Sequence, residues 1–260
     1  MINVDHRNSI GHHSKEEYEG YSKLLVSSLS KIDFISSIVV CGSLAKNDIV
    51  PGWSDIDLIL FLESSHRSID QLDVIKAKIK SASKEYRIGI GLDITYIDEF
   101  LTTNKICGRP LMMTYEVKHY GKIEFGLNYF EKIEEIKLVS NSIEIERKPL
   151  ILAELHSWRR IYTFSKESIP PNKWLFECSK SLLRIMQIET GPNLIRPLNS
   201  ESVLRKLLKK DFLSKDQKIA FSTAVEIRKN WIDYKNRSFI DSEINLISEC
   251  LNNYIHERYN

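Results

Sequence analysis

No apolar run in this sequence approaches the roughly 20 residues that cross a bilayer. The polar start MINVDHRNSIGHHSKEEY has no signal-peptide core, so the chain is expected in the cytoplasm, with no membrane partner. Cysteine is sparse: Cys41, Cys107, Cys178 and Cys250 stand far apart, without a paired metal-ligand spacing or the density of a disulfide scaffold, and read as reduced thiols. Excess charge of one sign is missing too. With 37 basic against 35 acidic residues, no global field marks nucleic acid or an anionic membrane as the partner. Internal repeats and low-complexity linkers are absent, and the pair His12 and His13 has no third ligand nearby.

What is present is a core: 42% of the 260 residues are apolar, enough for one large domain or two ordinary ones. Tyr18, Tyr21, Leu24, Leu25 and Leu29 recur at helical spacing behind a Ser14-x-x-Glu17 capping box, which predicts a helix over 14–30. The β-branched segment FISSIVVCG (34–42) predicts a strand that ends in Gly-Ser. A polar loop with Pro51 and Gly52 then leads into a second strand, DIDLILFL. A helical pattern over 69–82 precedes a third strand at 88–98, IGIGLDITYID. TYEVKHYG and KIEFG read as further short strands.

From about residue 128 long helical patterns take over: LILAELHSWRRIYTF, WLFECSKSLLRIMQI and KIAFSTAVEIRKNWIDY. They are interrupted by SIPPN at 168–172 and by the loop at 189–202. The expected fold is α+β. A mixed sheet flanked by helices occupies 1–145, and an all-α helical bundle occupies 146–260. Trp158, Trp174 and Trp231, among apolar neighbours, read as core, with stacking on a base or sugar as the second reading.

The chemistry centres on Asp55 and Asp57. In a strand, residues i and i+2 share a face, so the two carboxylates emerge together while Ile56 and Leu58 enter the apolar side. Two like charges so close call for a cation between them, and a hard divalent ion with oxygen ligands, magnesium, is the usual solution. Asp93 lies on a later strand and can join from the same face if that strand pairs beside DIDL. Gly42-Ser43 supplies what a metal-bound phosphate needs: close backbone approach, exposed N–H groups and a hydroxyl. A structural alternative is that Asp55 caps the loop and Asp57 bonds backbone in an edge strand. It accounts less well for two acids in alternation.

The stretch GSLAKNDIVPGWSDIDLIL, followed by the acid Asp93, resembles the nucleotidyltransferase superfamily that shares the DNA polymerase β palm. The match covers 39–98, and the overall plan is similar to the aminoglycoside adenylyltransferases that act on streptomycin and spectinomycin. The resemblance implies ATP as co-substrate, two Mg2+ ions on Asp55 and Asp57, and AMP transfer to a hydroxyl of a small molecule, with pyrophosphate released. It makes Gly42, Ser43, Lys46, Ser54 and Arg184 the nucleotide-binding candidates, with Arg196 beyond the Thr-Gly turn as a further one. Asp93 is either the general base or a metal ligand.

Other readings compete at single positions. Lys46 also reads as a solvated loop lysine, and Arg184 as an arginine that lies along its helix or pairs with a surface acid. The residues near Trp174 to Glu177 depart from the family's acidic substrate position, which counts against streptomycin itself. The alternative acceptors are a protein or RNA partner, and the alternative class is a non-catalytic nucleotide-binding protein. Nucleic acid is disfavoured by the neutral charge balance. The oligomeric expectation is monomer or dimer.

Overall fold

The computed structural model describes residues 13–65, 67–83, 86, 88–108, 111–133, 140–165, 169–191 and 199–259. The candidate Arg196 lies outside the described residues. Two compact units divide the chain, Met1–Lys137 and Leu138–Asn260.

In the first unit the capping box starts helix α1, Lys15–Leu29. The Glu17 N–H donates to Ser14 Oγ at 3.3 Å, and the Ser14 N–H donates to Glu17 Oε2 at 2.6 Å. The chain continues through β1 (Ile35–Cys41), the single turn α2 (Gly42–Ala45), β2 (Ile56–Leu62), α3 (Ile69–Ala82) and β3 (Ile90–Tyr96). It then forms α4 (Ile97–Thr103), α5 (Leu111–Tyr120) and β4 (Lys122–Gly126). The four strands make one mixed sheet in the order β3-β2-β1-β4. β1 is antiparallel to both β2 and β4, and β2 is parallel to β3.

Alternation along the strands divides the core in two. On one face Ile38, Val40, Ile56, Leu58 and Leu60 pack with Tyr18, Tyr21 and Leu25 of α1 and Ile75 of α3. On the other, Val39, Ile59 and Phe61 pack with Phe100 of α4, Ile106, and Tyr129 and Phe130 beyond β4. β2 is therefore buried on both faces except at Asp57, where the second face opens.

TYEVKHYG is not a strand but the end of α5. Its β-branched and aromatic residues suggested extension, yet Thr114 and Tyr115 are buried on a helix begun by the good helix formers of Leu111-Met112-Met113. KIEFG is a strand, β4.

The second unit is helical: α6 (Ser140–Ser165), α7 (Pro171–Thr190), α8 (Ser200–Leu207), α9 (Lys215–Lys229), α10 (Trp231–Lys235) and α11 (Asp241–Tyr259). α7 packs on α6, α9 and α11, and buries Trp174, Leu175, Leu182, Ile185 and Met186. Trp158, Trp174 and Trp231 all belong to this core. The pattern KIAFSTAVEIRKNWIDY, read as one helix, breaks at Asn230, whose φ of −108° and ψ of 35° lie outside the helical region. Asn230 is the C-cap: its backbone N–H still donates to the Glu226 carbonyl at 3.0 Å, and α10 starts afresh at Trp231.

Candidate active site

The end of β1 and the start of β2 converge because the two strands are antiparallel and Cys41 lies opposite Asp57. The chain leaves β1 through Gly42, whose φ of +65° belongs to the left-handed region that glycine adopts without strain. A side chain here would also have no room, since its Cβ would stand 1.9 Å from Asp57 Oδ2. Ser43 follows with its Oγ buried and without a hydrogen-bond partner among the described residues. Burying a hydroxyl without a partner costs about 1–3 kcal/mol on mutational scales. A native site tolerates that when a ligand supplies the missing bond.

Parallel pairing then settles how the acids sit. Asp57 lies opposite Gly91 and Ile59 opposite Asp93, so Asp57 and Asp93 occupy the same face of adjacent strands, two residues out of level. That offset is about 6.6 Å along the strand. Asp55 precedes β2, its Cβ 3.5 Å from where a Cβ on Gly89 would stand. No group of three or more His, Cys, Asp or Glu side chains that could hold a metal ion occurs among the described residues. Magnesium does not require one: it characteristically takes one or two carboxylates and completes its shell with substrate phosphate and water. Asp55 and Asp57 offer that hard oxygen chemistry, and the buried Ser43 hydroxyl follows the glycine that abuts Asp57.

The remaining candidates are engaged within their own units. Ser54 Oγ accepts from the Val50 N–H at 2.9 Å, and the Ser54 N–H donates to the Val50 carbonyl at 2.9 Å, so this residue closes the turn ahead of Asp55. The buried Tyr18 hydroxyl donates to the Ser54 carbonyl at 2.9 Å and ties that turn to α1. Burial pushes the Tyr18 phenol up to about 12, and the nearby Asp55 carboxylate adds to the shift. Lys46 Nζ is ion-paired with Glu116 of α5. Arg184 lies exposed on α7, with its Nη1 3.3 Å and 3.4 Å from the two carboxylate oxygens of Glu154 on α6; it pairs with an acid of its own unit.

Three features escaped sequence reading. Gly91 had a signal: a glycine inside a β-branched strand marks close approach by another group. The Tyr18 tie and the Glu116 partner of Lys46 had none, because both depend on which helix lies against the turn. In the second unit the carboxylate of Glu189 is fully buried. Its Oε1 accepts from the Tyr254 hydroxyl at 3.0 Å and from Arg258 Nε at 3.2 Å, and Arg147 Nε lies 4.0 Å from its Oε2.

A mixed sheet that brings a glycine-serine turn against an acid on an inner strand, with a second acid just ahead of that strand, is the arrangement of a domain that moves nucleotides. A family profile described as nucleotidyltransferase domain matches residues 23–156, just over half of the chain, and the chain belongs to that family. Its reaction class is nucleotide transfer and its substrate includes a nucleotide. No curated protein matches the chain. None of the helices among the described residues is long and apolar enough to cross a membrane.

Proposed function

We propose that this protein transfers AMP from ATP to a hydroxyl of a small molecule, an aminoglycoside-type antibiotic, in the cytoplasm, and releases pyrophosphate. The observation that carries the nucleotide half is the buried Ser43 hydroxyl, unpartnered among the described residues, in the turn that Gly42 presses against the Asp57 carboxylate. Ser43 donates to a phosphate oxygen, and Gly42 lets the backbone approach it. Asp55 and Asp57 hold Mg2+, which when bound offsets charge on the attacking and leaving oxygens of an in-line displacement. Asp93, on the same face as Asp57 and farther along, takes the proton of the attacking hydroxyl or completes the carboxylate set. Lys46 reaches a phosphate only by exchanging Glu116 for it, and Arg184 only by releasing Glu154. The acceptor assignment rests on the resemblance of the sequence plan, a transfer unit followed by a helical one.

The test uses ATP labelled at the α-phosphate, with Mg2+ and a panel of aminoglycosides, lincosamides, total protein and tRNA. Label on an aminocyclitol alone is the expected result; label in protein or tRNA overturns the acceptor. Asp57→Asn keeps the side-chain volume and removes the charge. It is expected to lower transfer by about a hundredfold or more, since disturbing even the groups that support a metal ligand costs about 10–100-fold, with an unchanged circular dichroism spectrum. Transfer that survives the change overturns the role of Asp57.

A further inference from the structure

Gly91 has no conformational reason to be glycine. Its φ lies outside the left-handed region, and it occupies the interior of β3, where glycine packs nothing and weakens the strand. Space is the reason. A Cβ on Gly91 would stand 2.3 Å from Asp57 Oδ1 and 3.4 Å from Asp57 Cγ, closer to the oxygen than real Cβ atoms come to anything. On the opposite flank a Cβ on Gly42 would stand 1.9 Å from Oδ2. Each oxygen of one carboxylate thus abuts a position where the chain carries only hydrogen.

The two glycines are not equivalent. Gly42 is required by its backbone as well, so its missing side chain has two explanations. Gly91 has one. Two residues earlier, Gly89 provides the contrast. There a Cβ would meet Asp55 Cβ at 3.5 Å, an ordinary van der Waals distance, so a side chain fits beside Asp55 as it stands, whereas beside Asp57 the carboxylate has to shift.

We infer that Gly91 is a positioning residue: by leaving a side-chain-sized space beside β2, it sets the rotamer in which Asp57 presents its carboxylate. A methyl group at 91 drives the Asp57 side chain to another rotamer and moves its oxygens from the positions they hold between Gly42 and Gly91. That this matters for a divalent ion rests on the reading of Asp57 given above; that residue 91 sets the carboxylate does not.

Two measurements separate those statements. The first is Mn2+ binding to the full chain, followed by electron paramagnetic resonance, for the wild type, Asp57→Asn, Gly91→Ala and Gly89→Ala. Gly91→Ala is expected to weaken binding about tenfold to a hundredfold, the usual cost of disturbing a metal ligand's support, while Gly89→Ala leaves it within about twofold. The second is a urea-unfolding cycle of Gly91→Ala in the wild-type and Asp57→Ala backgrounds. The substitution is expected to lower the midpoint in the wild type and to leave it unchanged or raised once the carboxylate is gone. The cycle still reads residue 91 if Gly91→Ala folds only in the second background. Equal costs in both backgrounds overturn the inference. So does unchanged Mn2+ affinity in Gly91→Ala when Asp57→Asn abolishes binding. If the wild type and Asp57→Asn bind Mn2+ alike, the metal reading of Asp57 falls, and the cycle alone decides the role of Gly91.

Discussion

At the scale of single residues, the site is made by what is withheld. Ser43 keeps a buried hydroxyl that no described group satisfies, and two glycines give up side chains so that Asp57 can stand between them. Such sacrifices of stability are testable in opposite directions. Ser43→Ala removes an unsatisfied polar atom, so the urea midpoint is expected to stay level or rise. Transfer is expected to fall about tenfold or more, because a hydrogen bond to a charged phosphate is worth roughly 1.5–3 kcal/mol. A hydroxyl with only a structural purpose would show the reverse: lower stability and intact transfer.

At the scale of elements, the sheet is held from both sides, and its second face depends on one ring. Phe61 of β2 meets Phe100 edge-on at 4.9 Å between centroids, Tyr129 at 5.2 Å and Phe130 at 5.7 Å. Phe61→Ala is expected to cost about 3–5 kcal/mol in urea unfolding. This level was largely legible in the sequence, because periodicity reports which face is buried. α1, β1, β2, α3 and β3 all lie where alternation or helical spacing placed them. Legibility failed where propensity and context disagreed, as at Thr114 and Tyr115 in α5, and at Asn230, where the backbone leaves the helical region although the apolar pattern runs on. For the site, the sequence showed which acids alternate but not their level across strands. The pairing of Asp93 with Ile59 rather than Asp57 is a matter of register, which depends on chain-distant partners. The ion pairs of Lys46 and Arg184 are equally nonlocal.

At the scale of the whole molecule, each unit contains a tyrosine held in its neutral form, which makes the chain sensitive to alkali. Tyr18 is raised by burial from 10 to about 12, and Tyr254 is raised by burial and by the neighbouring Glu189 carboxylate. A raised folded-state value means that the native state holds its proton more tightly. That stability is complete below pH 10 and is lost as pH climbs toward 12. For Tyr18 alone the loss amounts to about 2–3 kcal/mol. Urea midpoints measured across this range are expected to fall, and Tyr18→Phe to flatten the dependence. The sheet order carries a consequence of its own. β3, which bears Gly91 and Asp93, is the terminal strand beside β2 and has no further strand outside it among the described residues. Terminal strands open by local fluctuation at lower free energy than central ones. Amide exchange at Gly91–Asp93 is therefore expected to outpace that at Leu58–Leu60, and catalytic competence to vanish at urea concentrations that leave the rest of the first unit folded. The protein would then be switched off well before it is denatured.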